Sequence, residues 1–170
     1  VEPSNLAHQR FTVTDLNQPK VTQLAKRYES LSNIAVASRV ENLVYAHQLE
    51  GYDIVVVAVD RETPRNLVHS CSAHWVDLRC QGDGWLLLDN NTDESVRRQI
   101  PTNQHPVSCQ MPGAIESGNI EFGFAAVAAL GAQWVVQKVR IINGESSKTP
   151  KFSMGYLTYG QMSTSVFGGA

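Results

Sequence analysis

The 170-residue sequence holds only three cysteines, Cys71, Cys80 and Cys109, with no CxxC pair among them. That excludes a four-cysteine zinc knuckle and leaves no disulfide framework, so no structural zinc is expected. The five histidines, at 8, 47, 69, 74 and 105, show no metal-ligand spacing either. Charge of one sign is lacking too. Fourteen Lys and Arg against 16 Asp and Glu give a formal charge of -2. A protein that coats nucleic acid by charge alone would be strongly basic, so no nucleic-acid partner is expected. No run reaches about 18 consecutive apolar residues, and no membrane span is expected. The opening Val1-Glu2-Pro3-Ser4 has no basic stretch leading into an apolar one, so it does not read as a signal peptide. Reduced thiols in a cytoplasmic protein are the expectation.

What is present suits a folded chain. Hydrophobic residues make up 42% and charged residues 18%, enough apolar material for one domain with or without a tail. Apolar residues at Val21, Leu24, Ala25, Tyr28 and Leu31 predict a helix starting near Pro19. A short strand is expected over residues 33–37 and a second helix over 41–50, stopped by Gly51. The β-branched run from Asp53 to Val59 predicts a strand buried on both faces. A helix over 62–74 follows, then strands at Trp75–Cys80 and Trp85–Leu88 joined by a turn at Gln81–Gly84. Residues 89–116 are polar and read as a long loop. Residues 117–142 predict a long Ala-rich helix, apolar on more than one face, buried or at a subunit contact. The alternation after 151 suggests a hairpin. The order predicts an α/β fold with a mainly parallel sheet flanked by helices and a C-terminal hairpin tail over 143–170.

Ligands in such sheets bind beyond the carboxyl ends of the strands, where Asp60 sits. A carboxylate there can hold Mg²⁺ beside phosphates; it can equally cap the helix beginning near Glu62. Lys20, at a helix start, can join backbone N–H groups in holding a phosphate, or be a solvated lysine. His8 and Arg10 in the preceding loop are further phosphate candidates. Cys109, in the polar loop, can serve as a nucleophile if its thiolate is stabilised, and otherwise is structural. Cys71 and Cys80 read as small buried hydrophobes.

The segment Val1-Glu2-Pro3-Ser4-Asn5-Leu6-Ala7-His8-Gln9-Arg10-Phe11, followed by Asn17-Gln18-Pro19-Lys20-Val21, resembles the E1-like activating enzymes, the superfamily of ThiF, MoeB and HesA. Its members usually read V-E-x-S-N-L-x-R-Q-x-F and then G-x-x-K. The strand from Tyr52 to Asp60, with Arg65 five residues beyond the Asp, resembles the family's strand ending in T-D-N with an Arg at that spacing. The helix over 117–142 looks like the closing helix of the family's adenylation domain, so the likeness covers residues 1–142. It implies a Rossmann-like fold that binds ATP and Mg²⁺ and adenylates the C-terminal carboxylate of a ubiquitin-like or sulfur-carrier protein or a peptide. By position, Asn5 and Gln9 would contact the nucleotide or order its loop. Lys20, with His8 or Arg10, would contact phosphate, and Asp60 would hold Mg²⁺. Many members then pass the acyl group to a thiol, for which Cys109 is the candidate here. A homo- or heterodimer is implied as well.

The departures from the pattern are equally specific. His8 stands where the family has Arg, Arg61 where it has Asn, and the zinc-binding CxxC pairs of many members are absent, as in divergent plasmid-associated ThiF-like proteins. The family's glycine-rich GxGGxG loop and ribose-binding Asp precede V-E-x-S-N-L and are not among these residues. The expectation is therefore a piece of an adenylating enzyme. The alternative is a non-catalytic scaffold subunit whose ATP site a partner chain completes.

Overall fold

The computed structural model describes residues 1–6, 9–29, 35–100 and 109–158, and the backbone of 162–163. Within it the chain forms two compact units. One comprises Val1–Asn42 and Ile115–Ile120, the other Leu43–Ala114 and Glu121–Ala170.

In the first unit the N-terminal residues fold back on themselves. A 3-10 turn spans Pro3–Leu6, a second spans Val13–Asp15, and Asn17 N–H donates to the Val1 carbonyl at 3.0 Å. Asn17 sits at φ 61°, a left-handed conformation that asparagine tolerates better than most residues. Helix α1 spans Lys20–Glu29. The Pro19 carbonyl accepts its first hydrogen bond, from Gln23, so proline caps the helix rather than entering it.

The second unit contains the whole sheet. Strand β1 is Ile54–Val57, helix α2 Glu62–His69, β2 His74–Gln81 and β3 Gly84–Asp89. A one-turn helix α3, Glu94–Arg97, precedes the long helix α4, Gly123–Ile142, and then β4, Phe152–Tyr156, and β5, Met162–Ser163. The sheet order follows the chain, β1-β2-β3-β4-β5. Only β1 and β2 are parallel; every later pair is antiparallel. The expected mainly parallel sheet is thus a mixed one. The cause is local: a helical crossover separates β1 from β2, but only Gly82 and Asp83 separate β2 from β3, and so short a link forces a hairpin. Gly82, at φ 59°, supplies the turn. The β4–β5 pairing is antiparallel, as a C-terminal hairpin requires.

Strand periodicity divides the core into two layers. Val76, Leu78, Trp85 and Leu87 face α4 through Val127 and Trp134. Val57, Val68, Trp75 and Leu88 pack together on the other face, where α2 lies against β1 and β2. The Asp53–Val59 run is therefore not a strand buried on both faces. It is the edge strand among the described residues; α4 reaches β2 and β3, and Val56 remains 47% exposed.

Three further expectations change. Residues 41–50 form no helix beyond a 3-10 turn at Ala46–Leu49. The Gln48 side-chain oxygen accepts the N–H groups of Val44 (2.8 Å) and Tyr45 (2.9 Å), which closes a short turn instead of extending a helix. The strand over 33–37 is not seen at Ala35–Ala37; Asn33 and Ile34 lie outside the described residues. The helix expected over 62–74 ends at His69, and Cys71 follows it. Among the described residues α4 is the one helix long and apolar enough to cross a membrane by length and composition. Its Val127, Gly131, Trp134 and Lys138 are buried, and the helix packs on β2 and β3 as a core helix does.

Candidate functional site

The first unit holds Asn5, Gln9, Arg10 and Lys20. Asn5 is buried, and its Oδ1 accepts the Glu2 N–H at 2.9 Å while its N–H donates to the Glu2 carbonyl at 3.0 Å. Its carbonyl accepts from Gln9 N–H at 3.0 Å, and the Gln9 carbonyl accepts from Phe11 N–H at 2.8 Å. Asn5 thus organises the turn on which Gln9 and Arg10 stand; its oxygen is already engaged within the turn. Gln9 is half-buried, and Arg10 and Lys20 are exposed. His8 lies outside the described residues.

Asp15 fixes the other half of this loop. Its carboxylate accepts Thr12 N–H (2.7 Å), the Thr12 hydroxyl (2.9 Å) and an N–H of Arg27, whose guanidinium also lies over the Phe11 ring. The Thr12 backbone bond is the main reason the carboxyl titrates below its ordinary range. Two cations, Arg10 and Lys20, therefore stand on a loop and helix start whose turns are held by Asn5 and Asp15.

The second unit holds Asp60 and Cys109. Asp60 is exposed in the bend between β1 and α2, and no hydrogen bond or ion pair engages its carboxylate among the described residues. The N-cap of α2 is Arg61, without a side-chain cap bond, so the helix-cap reading of Asp60 fails. Arg65, one turn into α2 and 6% exposed, is what shapes this bend. One guanidinium N–H donates to the Val59 carbonyl, and Nε reaches Asp77 at 3.2 Å.

Asp77, fully buried in β2, also meets His69 Nε2 at 3.1 Å and Arg79 Nη2 at 2.8 Å. His69 in turn stacks on Trp75 at 4.2 Å between ring centroids. Burial alone would push the Asp77 carboxyl up. The hydrogen bonds of His69 and Arg79 and the charges of Arg79 and Arg65 outweigh it and hold the carboxyl below its ordinary range. This cluster was marked in the sequence only by the Asp60–Arg65 spacing. The alternation Trp75-Val76-Asp77-Leu78-Arg79, charges inside a strand with no solvent face, was the available signal.

The opposite face of the sheet carries a second buried carboxylate, Asp89. It accepts from Asn91 N–H at 2.8 Å and from Trp134 Nε1 at 3.1 Å, and Lys138 lies over the Trp134 ring at 5.0 Å. Here burial wins, and the carboxyl is raised despite those partners.

Cys109 is half-buried, and its carbonyl accepts Gly82 N–H at 2.8 Å, which ties it to the β2–β3 turn. No group of three His, Cys, Asp or Glu capable of holding a metal occurs among the described residues.

No family's sequence model matches the chain, and no curated protein matches it by sequence. Among solved structures it is similar to E. coli MccB, crystallised with AMPCPP and selenomethionine-labelled MccA. The TM-score is 0.62 at 17% identity, over 96% of this chain and 52% of MccB. At that identity the likeness establishes a shared α/β fold. The chain spans about half the length of the protein it matches.

Proposed function

We propose that this chain is part of an E1-like adenylating enzyme that uses Mg²⁺ and ATP to activate the C-terminal carboxylate of a ubiquitin-like protein, a sulfur-carrier protein or a peptide. The observation that carries the reading is the fold likeness to MccB across nearly the whole chain, in a structure holding AMPCPP, an ATP analogue. The residues fit the cofactor. Mg²⁺ favours one or two carboxylates supplemented by phosphate oxygens, so a single exposed carboxylate in the bend after a strand is adequate. Asp60 is that carboxylate, on a bend held by Arg65. Lys20 and Arg10 are the exposed cations for phosphate, with Asn5 and Gln9 ordering their loop.

ATP supplies the phosphoryl centre that a carboxylate attacks with loss of pyrophosphate. The chain's part is to place positive charge around the phosphates and to leave little else to do. Cys109 is the candidate thiol for a later acyl transfer. The exposed side of α4, with Phe122, Val136, Val139 and Ile142, supports pairing into a homo- or heterodimer. We assign this work to the cytoplasm.

The second reading, a non-catalytic scaffold completed by a partner chain, is favoured by His8 and Arg61, which stand where the E1-like pattern has Arg and Asn. Exchange of labelled pyrophosphate into ATP, with a small carrier protein ending in Gly-Gly as the probe, separates the two. Carrier-dependent exchange that Asp60→Ala abolishes supports the enzyme. Nucleotide binding without exchange supports the scaffold. Exchange that Asp60→Ala leaves unchanged removes the metal role of Asp60.

A further inference from the structure

Two of the three cysteines lie on one side of the sheet. Cys80, near the end of β2, packs with Val76, Leu78 and Leu87 on the α4 face. Cys71 belongs to the opposite layer, with Val57, Val68 and Trp75. Cys109 is brought to the Cys80 side by its backbone, since its carbonyl accepts from Gly82, two residues beyond Cys80.

The segment that follows Cys109 is fastened at the same place. The Gln110 side chain donates to the Glu121 carbonyl at 2.7 Å and accepts from Glu121 N–H at 2.9 Å. Met111 N–H meets Glu121 Oε2 at 3.0 Å. Gly123, where α4 begins, donates to the Gly82 carbonyl at 3.0 Å. The turn of the β2–β3 hairpin is thus clasped by the chain on either side of residues 112–120. In this arrangement the Cys80 and Cys109 side chains share a hydrogen bond, and both are half-buried and not in a disulfide.

We propose that Cys80 and Cys109 form a reversible disulfide, a redox latch that covalently fastens Cys109 to the end of β2 and withdraws its thiol from any other chemistry. The pairing is selective, because Cys71 sits on the other face of the sheet. The roles of the two sulfurs differ. The hydrogen bond to Cys109, burial and the neighbouring Cys109 group push the Cys80 thiol up, so its proton stays on and Cys80 is the poorer nucleophile of the two.

Cys109 is therefore the attacking sulfur and Cys80 the resolving one. With a small disulfide such as oxidised glutathione as oxidant, the Cys109 thiolate attacks one sulfur. The S–S bond of the oxidant breaks, a mixed disulfide forms and one glutathione thiolate leaves. Cys80 gives up its proton and displaces the second glutathione thiolate, closing Cys80–Cys109. Two protein thiols are oxidised and one glutathione disulfide is reduced to two thiols. In a reducing compartment such bonds are transient and regulatory rather than structural. The inference stands on the two thiols and does not depend on the adenylation reading.

The test is to equilibrate the whole chain in buffers of graded reduced-to-oxidised glutathione ratio, trap free thiols by alkylation and map the peptides by mass. The expected product is a Cys80–Cys109 cross-link, two hydrogens lighter, with Cys71 alkylated and the cross-link reversed by dithiothreitol. In Cys80→Ser, Cys109 should instead accumulate one glutathionyl group. In Cys109→Ser, Cys80 should remain an unmodified thiol. The wild-type map needs no variant to fold. Absence of the cross-link at every ratio, or a cross-link through Cys71, overturns the proposal. Glutathione accumulating on Cys80 rather than Cys109 in the wild type overturns the assignment of roles.

Discussion

Replacing Asp77 with Asn should remove more stability than any other single conservative change in the second unit. The carboxylate is fully buried and faces two arginines, Arg65 and Arg79, and the His69 ring, at 2.8–3.2 Å. Asn keeps the shape and one acceptor but leaves the buried Arg65 and the half-buried Arg79 without a counter-charge. Removing one partner of a buried ion pair costs about 3–5 kcal/mol. Asn retains some hydrogen bonding, so the low end, about 3 kcal/mol, applies. For a chain of this size that is roughly 6–12 °C in Tm. Urea unfolding followed by tryptophan fluorescence reads the right unit, since Trp75, Trp85 and Trp134 all lie in it.

The pH dependence gives the prediction a second edge. Asp77 titrates below its unfolded value of 3.8, so its contribution is present above that pH and is lost as pH falls through the lower folded pKa. The gap between wild type and Asp77→Asn should be full near neutrality and close in acid. A loss under about 1 kcal/mol at pH 7, the size of an exposed pair, would refute the reasoning. So would a gap that persists unchanged well below pH 3.8.

Asp89 should behave in the opposite sense. Its folded pKa is raised, so its contribution is present below the unfolded value and is lost as pH rises through the folded one. Asp89→Asn should therefore gain on the wild type with rising pH, read from urea midpoints across that range; a gain on acidification instead would contradict it. Two glycines of α4 should separate by what a Cβ would meet. At Gly123 it falls 2.5 Å from the carbonyl oxygens of Gly82 and Gly84, and backbone cannot step aside. At Gly131 it meets the tip of Leu78 at 2.4 Å, a side chain that can shift. Gly123→Ala should cost about 3 kcal/mol or more and Gly131→Ala about 1–2, compared by thermal melts. Equal costs would show that the α4 start is not seated on the hairpin turn.

The hairpin of β2 and β3 and the helices α1, α2 and α4 were legible in the sequence because each rests on local signals. Pro19 and Pro64 mark the starts of α1 and α2, apolar spacing marks the faces, and Gly82 marks the turn. The direction of the sheet was not legible. The β-branched character of the run Ile54–Val57 reports a good strand, but not whether neighbours cover both its faces; here α4 lies over β2 and β3 and leaves Val56 exposed. Helix 41–50 misled because the apolar spacing was right, while the Gln48 side chain took the backbone donors. Of the candidate site, Asp60 was expected to end the strand and lies instead in the bend beyond Val57, and Arg65 and Asp77 were invisible as a pair. They lie 12 residues apart on different elements, and only the parallel crossover brings them together.

The measurement that bears most directly on the proposed function is calorimetric titration with AMPCPP, with and without Mg²⁺, of the complete enzyme that contains these 170 residues, for wild type and Asp60→Ala. The account predicts saturable binding that tightens with Mg²⁺ in the wild type and loses that Mg²⁺ dependence in Asp60→Ala, with no change in melting temperature of the unliganded protein. Absence of AMPCPP binding by the folded complete protein, or a Mg²⁺ dependence that survives Asp60→Ala, would contradict it.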